Sequence, residues 1–295
     1  MKHIDTLTDR ILIIFCMAAI LIFAVFCVAP FLLVMINSFA DEISLLMRGY
    51  KFIPEKFSME AYRLVFNSPV ILRAYGVTIF ITVVGTGLSM LFTSMLAYAI
   101  SPVTVKYRNV IAFFVYFTML FSGGLVAFYI LIVKYLQLKN SIWVLILPSL
   151  INPWWMFLMR NFFRSIPESL SESARIDGAN DMTILARVIL PLSKPALATF
   201  SLFYALAYWN EWFRALLFIE SDSYQTLQLV IMKILRKVDS IKMIPPGMTY
   251  TVRTMMPQYT VRLALTIVTI GPIILLYPFL QKYFVKGIMI GAIKG

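Results

Sequence analysis

Two groups of side chains, both set in apolar surroundings, have the chemistry to bind a hydroxyl-rich ring. One is Asn152-Pro153-Trp154-Trp155. The other is Tyr204, Tyr208, Trp209, Asn210, Glu211 and Trp212. Sugar rings offer apolar C–H faces to aromatic planes and many hydroxyls to amides and carboxylates. The candidates for such contacts are Asn152, Trp155, Tyr204, Tyr208, Asn210, Glu211 and Trp212. Tyr204, Tyr208 and Trp212 recur every four residues, which predicts that they share one helix face. Asn210 and Glu211 carry the most weight, because polar groups at membrane depth are costly and tend to line cavities. Each group also has a plain structural reading. Glu211 can pair with Arg214 at i,i+3, and aromatic residues near helix ends serve as interfacial anchors or as helix packing.

Other chemistries lack their residues. The single histidine is His3, and the two cysteines are Cys16 and Cys27. A histidine-based triad or a zinc site therefore has nothing to build on. The cysteines lie eleven positions apart in one helical block, out of disulfide reach. No Gly-x-x-x-x-Gly-Lys-Ser/Thr phosphate loop occurs, so the chain has no such site for ATP. A membrane enzyme would want acids clustered at the membrane face. Glu168, Glu172, Asp177 and Asp181 instead occupy capping positions and a loop helix.

Those four acids belong to residues 160–195, a stretch suited to docking. Ser165 followed by Glu168 fits a capping box, with Pro167 in the first turn. Leu170, Ala174 and Asp177 then share a face. Gly178 fits a helix C-terminal cap. Asp181 can cap a second helix over 182–190 that Pro191 ends. Two short helices joined by a glycine bend, set between two spans, can transmit force to a docked partner. A solvated loop with two surface helices fits the same residues.

The elements that must position these groups are read from the apolar blocks. The chain has 295 residues, 61% hydrophobic and 14% charged, with net charge +12. Its mean hydropathy is +0.85. A soluble domain is nearer 45–50% apolar and about 25% charged. Six blocks approach the roughly 20 residues needed to cross a bilayer. They cover 11–36, 77–100, 110–133, 142–159, 196–219 and 263–284. The second extends back to about 70, broken by Arg73 and Gly76. Loops 37–69 and 220–260 then share one side with 134–141. The termini, 101–109 and 160–195 share the other. Lys and Arg divide about evenly between the sides, so charge alone gives only a lean towards cytoplasmic termini. Residues 58–72 predict a short helix capped by Ser58. Leu227, Val230, Ile231 and Ile234 predict an amphipathic helix over 223–240 with Lys233, Arg236 and Lys237 opposite. Pro245-Pro246-Gly247 marks a turn. The basic excess comes with no basic run or aromatic RNA motif, so it points to anionic lipid and topology rather than nucleic acid.

Glu172-Ser173-Ala174, three residues, Gly178, nine residues and Val188-Ile189-Leu190-Pro191 reproduce a spacing found in permeases of ABC importers. The chain resembles that family, within its carbohydrate-uptake, maltose-type branch, and there the oligosaccharide and polysaccharide subgroup. Phe121-Ser122-Gly123-Gly124-Leu125, the run 190–199, Trp209-Asn210-Glu211-Trp212-Phe213 and the tail 277–295 extend the likeness over residues 10–295. Ser173 and Val188 are mild departures from the signature.

The resemblance implies an all-α, six-helix type I ABC-importer permease, one half of a permease heterodimer. A permease body at 11–285 would lie between cytoplasmic ends at 1–10 and 286–295, in a bacterial inner or plasma membrane. The coupling helix would lie in 160–195, with Glu168, Glu172, Ala174, Asp177, Gly178, Ala179, Leu190 and Pro191 at the contact with the ATPase. Implied partners are a second homologous permease, a cytoplasmic ABC ATPase dimer, an extracytoplasmic substrate-binding protein, a carbohydrate and membrane lipid. This chain would bind no cofactor, ATP and magnesium being used by the ATPase. Residues 240–258 would reach into the binding protein, and 287–295 would insert between the ATPase subunits. A secondary transporter or channel, or a membrane-embedded glycan-processing enzyme, are the rival readings.

Overall fold

The computed structural model describes residues 7–242 and 259–274. The described residues are helical, with no strand beyond one isolated bridge between Ala40 and Phe57. They fall into two units, divided at 68/69, 233/234 and 271/272.

The first unit contains α1 (Leu7–Asn37), α2 (Glu42–Arg48) and α3 (Glu60–Asn67). It also holds most of the helix Tyr259–Ile274. The α1 helix is apolar on every side and none of its most apolar window is buried within the chain. A helix of that kind belongs in a membrane or among other helices. Polar groups at its end tie down the following loop. Asn37 Nδ2 donates to the carbonyls of Leu33 (2.7 Å) and Lys51 (2.8 Å), and its Oδ1 accepts from Lys51 N–H. Asp41 caps α2 by accepting from Ser44 N–H at 3.1 Å. The α3 helix starts later than position 58, although the Ser58 hydroxyl does accept from Glu60 N–H at 3.2 Å. Glu42 accepts from the N–H groups of Tyr259 (2.9 Å) and Thr260 (2.8 Å) and from the Thr260 hydroxyl (2.7 Å). A carboxylate there satisfies donors that a helix start leaves open.

The second unit is built on α4 (Pro69–Ala99), which runs unbroken through Arg73 and Gly76. After it come α5 (Arg108–Leu120), α6 (Gly124–Ile130, continued by a π-turn to Tyr135), α7 (Trp143–Ile146) and α8 (Pro153–Arg164). Next are α9 (Glu168–Ile176), α10 (Asp181–Ile184), a π-turn (Leu185–Ile189) and α11 (Leu190–Leu192). Last come α12 (Lys194–Trp209), α13 (Phe213–Phe218) and α14 (Leu227–Lys242), which passes into the first unit. The helix Tyr259–Ile274 is α15. The amphipathic helix expected at 223–240 is α14, with Leu227, Val230 and Ile231 buried.

Among the described residues, only α1 and α4 are long and apolar enough to cross a bilayer unbroken. The block 110–133 folds as α5 and α6, bent by 115° at Phe121-Ser122-Gly123. The α11–α12 junction bends by 88°. The block 142–159 tightens into a 3-10 turn at Leu147–Ser149, where Pro148 removes a donor, and breaks at Asn152-Pro153, where proline drives its predecessor out of helical geometry. Asn152 is extended there (φ −88°, ψ 115°) and caps α8 by accepting from Trp155 N–H. The α15 helix reaches the end of the described residues at Ile274. The expectations for 243–258 and for the tail lie outside the described residues.

Candidate substrate cavity and docking loop

The α4 and α12 helices pack along a face of α4 that buries Ile81, Gly85, Ser89 and Thr93. Gly85 lets the ring of Tyr208 lie directly on the α4 backbone. A Cβ there would stand 2.7–2.9 Å from three ring carbons. The Tyr208 hydroxyl meets Ser89 Oγ at 2.9 Å. One helical turn away, the Tyr204 hydroxyl meets Thr93 Oγ1 at 2.7 Å and accepts from Asn152 N–H at 2.9 Å. Both tyrosines are buried to about 1% exposure, and their polar ends find partners, as burial demands. Trp155 crosses Tyr204 edge to face at 4.5 Å between ring centres.

A cavity of about 260 Å³ opens beside this packing. Ser149, Asn152, Trp155, Tyr204, Tyr208 and Arg214 line it. Four of the seven residues singled out for ligand contact are thus brought together. Glu211 stands behind them, 7% exposed, with Oε2 accepting from Arg214 Nε at 2.7 Å and from Nη2. Its Oε1 accepts from Arg214 N–H at 2.8 Å, which caps the start of α13. Arg214 Nη1 donates to Ser149 Oγ. Arg214 and Ser149 are polar cavity-lining residues that sequence reasoning did not place there. The signal was present, since an ionisable group within an apolar block asks for an explanation.

Two of the seven fall elsewhere. The helix ends at Trp209, so Trp212 does not share the Tyr204–Tyr208 face; it packs edge-on against Phe213. The carbonyl of Glu211 accepts from Thr226 Oγ1 at 2.6 Å, holding the break open. Asn210 is exposed, donates to the Leu206 carbonyl at 2.9 Å and accepts from Gln228 Nε2 at 3.4 Å.

The segment 160–195, the candidate docking loop, holds its bend through its caps. Gly178 sits at φ +84°, the left-handed region. Its N–H donates to the Arg175 carbonyl (3.0 Å), while Ala179 N–H donates to the Ala174 carbonyl (2.9 Å). This is the paired closure of a Schellman motif. Asn180, not Asp181, caps α10, its Oδ1 accepting from Thr183 N–H at 2.8 Å. Asp181, the first residue of α10, accepts from Arg175 Nη2 at 3.0 Å instead and so ties α10 back to α9. That hydrogen bond holds the Arg175 guanidinium above its usual range.

Two further expectations for the loop are corrected. Ser165 ends α8, its hydroxyl donating to the Phe162 carbonyl, so no capping box forms with Glu168; Pro167 takes the cap position of α9. The second helix does not stop at Pro191. The π-turn at Leu185–Ile189 shifts the hydrogen-bond register, Leu190 N–H reaching Leu185, and helix continues to Leu192. Proline has no N–H to donate and its ring crowds the preceding turn, and the wider turn makes room for it. Glu168, Glu172, Asp177 and Gly178 are exposed, Ala174, Ala179 and Leu190 half-buried, and Pro191 exposed.

Residues 101–290 match the profile described as binding-protein-dependent transport system inner membrane component. The chain belongs to that family. This permease is 43% identical over 269 residues to protein LplC of Bacillus subtilis (strain 168), covering 91% of this chain and 90% of that one. It is 40% identical to the polygalacturonan/rhamnogalacturonan transport system permease protein YtcP of the same organism, covering 94% and 96%. The trehalose/maltose transport system permease protein MalG of Thermococcus litoralis is 31% identical over 99% of both chains. Among solved structures, a chain of a bacterial ABC transporter involved in import of the acidic polysaccharide alginate superposes with TM-score 0.85 at 31% identity. The match covers 96% of this permease and all of that chain. The fold is that of a type I ABC permease, and the chain is a transport component rather than an enzyme.

Proposed function

We propose that this permease forms one half of the membrane pathway of an ATP-driven importer for oligosaccharide or polysaccharide. The observation that carries the reading is the bent α9–α10 pair. Its glycine corner, double cap and Arg175–Asp181 tie make a rigid knuckle between two helical segments, and its signature residues Glu172, Gly178, Leu190 and Pro191 keep the family spacing. In this reading the knuckle seats in a cytoplasmic ATPase dimer. Glu168, Glu172, Asp177 and Gly178 face that partner, and Ala174, Ala179 and Leu190 pack the knuckle to its own bundle. The termini are then cytoplasmic, and the six apolar blocks cross the membrane, several of them broken. A second permease completes the pathway, and a substrate-binding protein delivers the ligand from outside.

The cavity at Asn152, Trp155, Tyr204 and Tyr208 lies on this half of the route. It presents aromatic edges, an amide and one guanidinium, which suits a saccharide. The glycan-related names among the relatives support that class of cargo. ATP and magnesium act in the partner ATPase.

The test is to purify the tagged chain from membranes. Recovery of an ATPase and a second permease, with ATP-dependent oligosaccharide uptake after reconstitution, is the expected result. A stable homo-oligomer that transports without an ATPase would overturn the reading and favour a secondary transporter.

A further inference from the structure

The α5 and α8 helices pack side by side, with Arg108 at the first position of α5, Arg164 in the last turn of α8 and Arg160 one turn before it. Arg160 Nε donates to the Ile100 carbonyl at 2.9 Å, and Arg108 Nη1 donates to the Pro102 carbonyl at 3.3 Å. Both guanidiniums are thereby held at the end of α4. Arg164 follows Arg160 at i+4 on the same helix, and burial, then the charges of Arg164 and Arg108, hold Arg160 below its usual range. Among the described residues, no carboxylate forms an ion pair with Arg108, Arg160 or Arg164. Three like charges gathered at one end of a helix pair cost energy unless an anion meets them.

Below this cluster runs an apolar groove of about 500 Å³. Phe113, Tyr116 and Met119 of α5 and Trp154 and Phe157 of α8 line it, and Asn109 and Ala112 lie at the end nearest Arg108. The chain thus places a long apolar furrow and a positive head at one end of it, in the same helix pair. The head lies where the apolar part of α4 ends, on the side that carries the docking loop.

We propose that this groove is a specific site for an anionic phospholipid, with one acyl chain along α5 and α8 and the phosphodiester against Arg108, Arg160 and Arg164. Basic pockets between membrane helices bind such headgroups, and each nearby Lys or Arg contributes about 1 kcal/mol. That is roughly a fivefold change in affinity for each guanidinium. A zwitterionic lipid matches the groove but not the charge. Free phosphate matches the charge but not the groove. A helix of another subunit would fill the furrow and leave the cluster unanswered.

The test uses the whole transporter complex in nanodiscs, read by native mass spectrometry. Phosphatidylglycerol should stay bound after detergent transfer, while phosphatidylcholine of the same chains is lost. Arg164→Gln removes a charge that makes no protein hydrogen bond in the structure, and should weaken phosphatidylglycerol retention about fivefold. Ala112→Phe fills the groove and leaves the cluster intact, and should weaken it as well. Equal retention of the two lipids would overturn the proposal, as would displacement by millimolar inorganic phosphate alone. A photo-crosslinker at Tyr116 should label lipid. Labelling of the second permease instead would assign the groove to a subunit contact and sink the lipid site.

Discussion

The ring of Tyr208 lies on the backbone of α4 at Gly85, so closely that a single methyl group at that position would enter it. This contact sets the spacing between the two helices and lets the Tyr208 hydroxyl reach Ser89 at 2.9 Å. Small residues serve that purpose wherever membrane helices approach closely. Gly85→Ala is expected to drive Tyr208 off its seat and destabilise the bundle by about 1–3 kcal/mol. The check is a thermal or denaturant transition of the purified complex. Gly87→Ala is the control, because nothing stands within 4 Å of a Cβ at Gly87. An unchanged transition for Gly85→Ala would show that the seat is loose.

The two tyrosines should differ when their hydroxyls are removed. Tyr204 holds Thr93 at 2.7 Å and the N–H of Asn152 at 2.9 Å. Tyr204→Phe therefore leaves a backbone donor at the start of α8 without its acceptor, costing about 1–3 kcal/mol. Tyr208→Phe releases Ser89, whose hydroxyl can turn to its own helix, and the backbone carbonyl of Ile146, which Tyr208 reaches at only 3.3 Å. The expected order is Tyr204→Phe more destabilising than Tyr208→Phe. Equal effects would mean that Asn152 finds another acceptor.

Much of this was legible in the sequence, and the misses have definite causes. Gly178 was readable as a bend because only a residue without Cβ takes φ +84° without strain. The Glu211–Arg214 pair was readable from its spacing. The helix break between them and Tyr208 was not. Residues 196–219 are apolar without an internal proline or glycine, and the break is held by Thr226, fifteen positions on, through a hydrogen bond to Glu211. Asp181 was read as the cap of α10, and the residue before it, Asn180, holds that place. The structure separates them because Asp181 is engaged by Arg175. Pro191 was read as a stop, since a π-turn before a proline leaves no mark in the apolar pattern.

Glu211 and Arg214 form a buried pair, with side chains 7% and 18% exposed. Breaking such a pair from one side strands a charge and typically costs 3–5 kcal/mol, whereas replacing both is far milder. Glu211→Gln and Arg214→Leu are each expected to lower the stability of the complex sharply. The double variant should recover a good part of it. A double-mutant cycle in thermal stability measures the coupling. Additive losses would show that the two residues act separately and would leave Arg214 free to serve a ligand.

The docking knuckle allows a test in which folding and coupling separate. Space is open around a Cβ at Gly178, so Gly178→Ala costs only its left-handed backbone, about 1–2 kcal/mol, spent locally on an exposed corner. Gly178→Asp adds a third acid to a corner that already holds Asp177 and Asp181. Asn180→Ala removes the α10 cap, worth about 1 kcal/mol. All three are expected to reach the membrane and to leave the α4–α12 packing intact, because none touches it. Gly178→Asp should abolish uptake and stimulation of ATP hydrolysis by the loaded binding protein. Gly178→Ala and Asn180→Ala should lower both together by smaller amounts, in proportion to the helix order each removes. Reconstituted complexes assayed for uptake and ATP hydrolysis in parallel decide it. Normal transport with full stimulation of hydrolysis in Gly178→Asp would remove the knuckle from the coupling path.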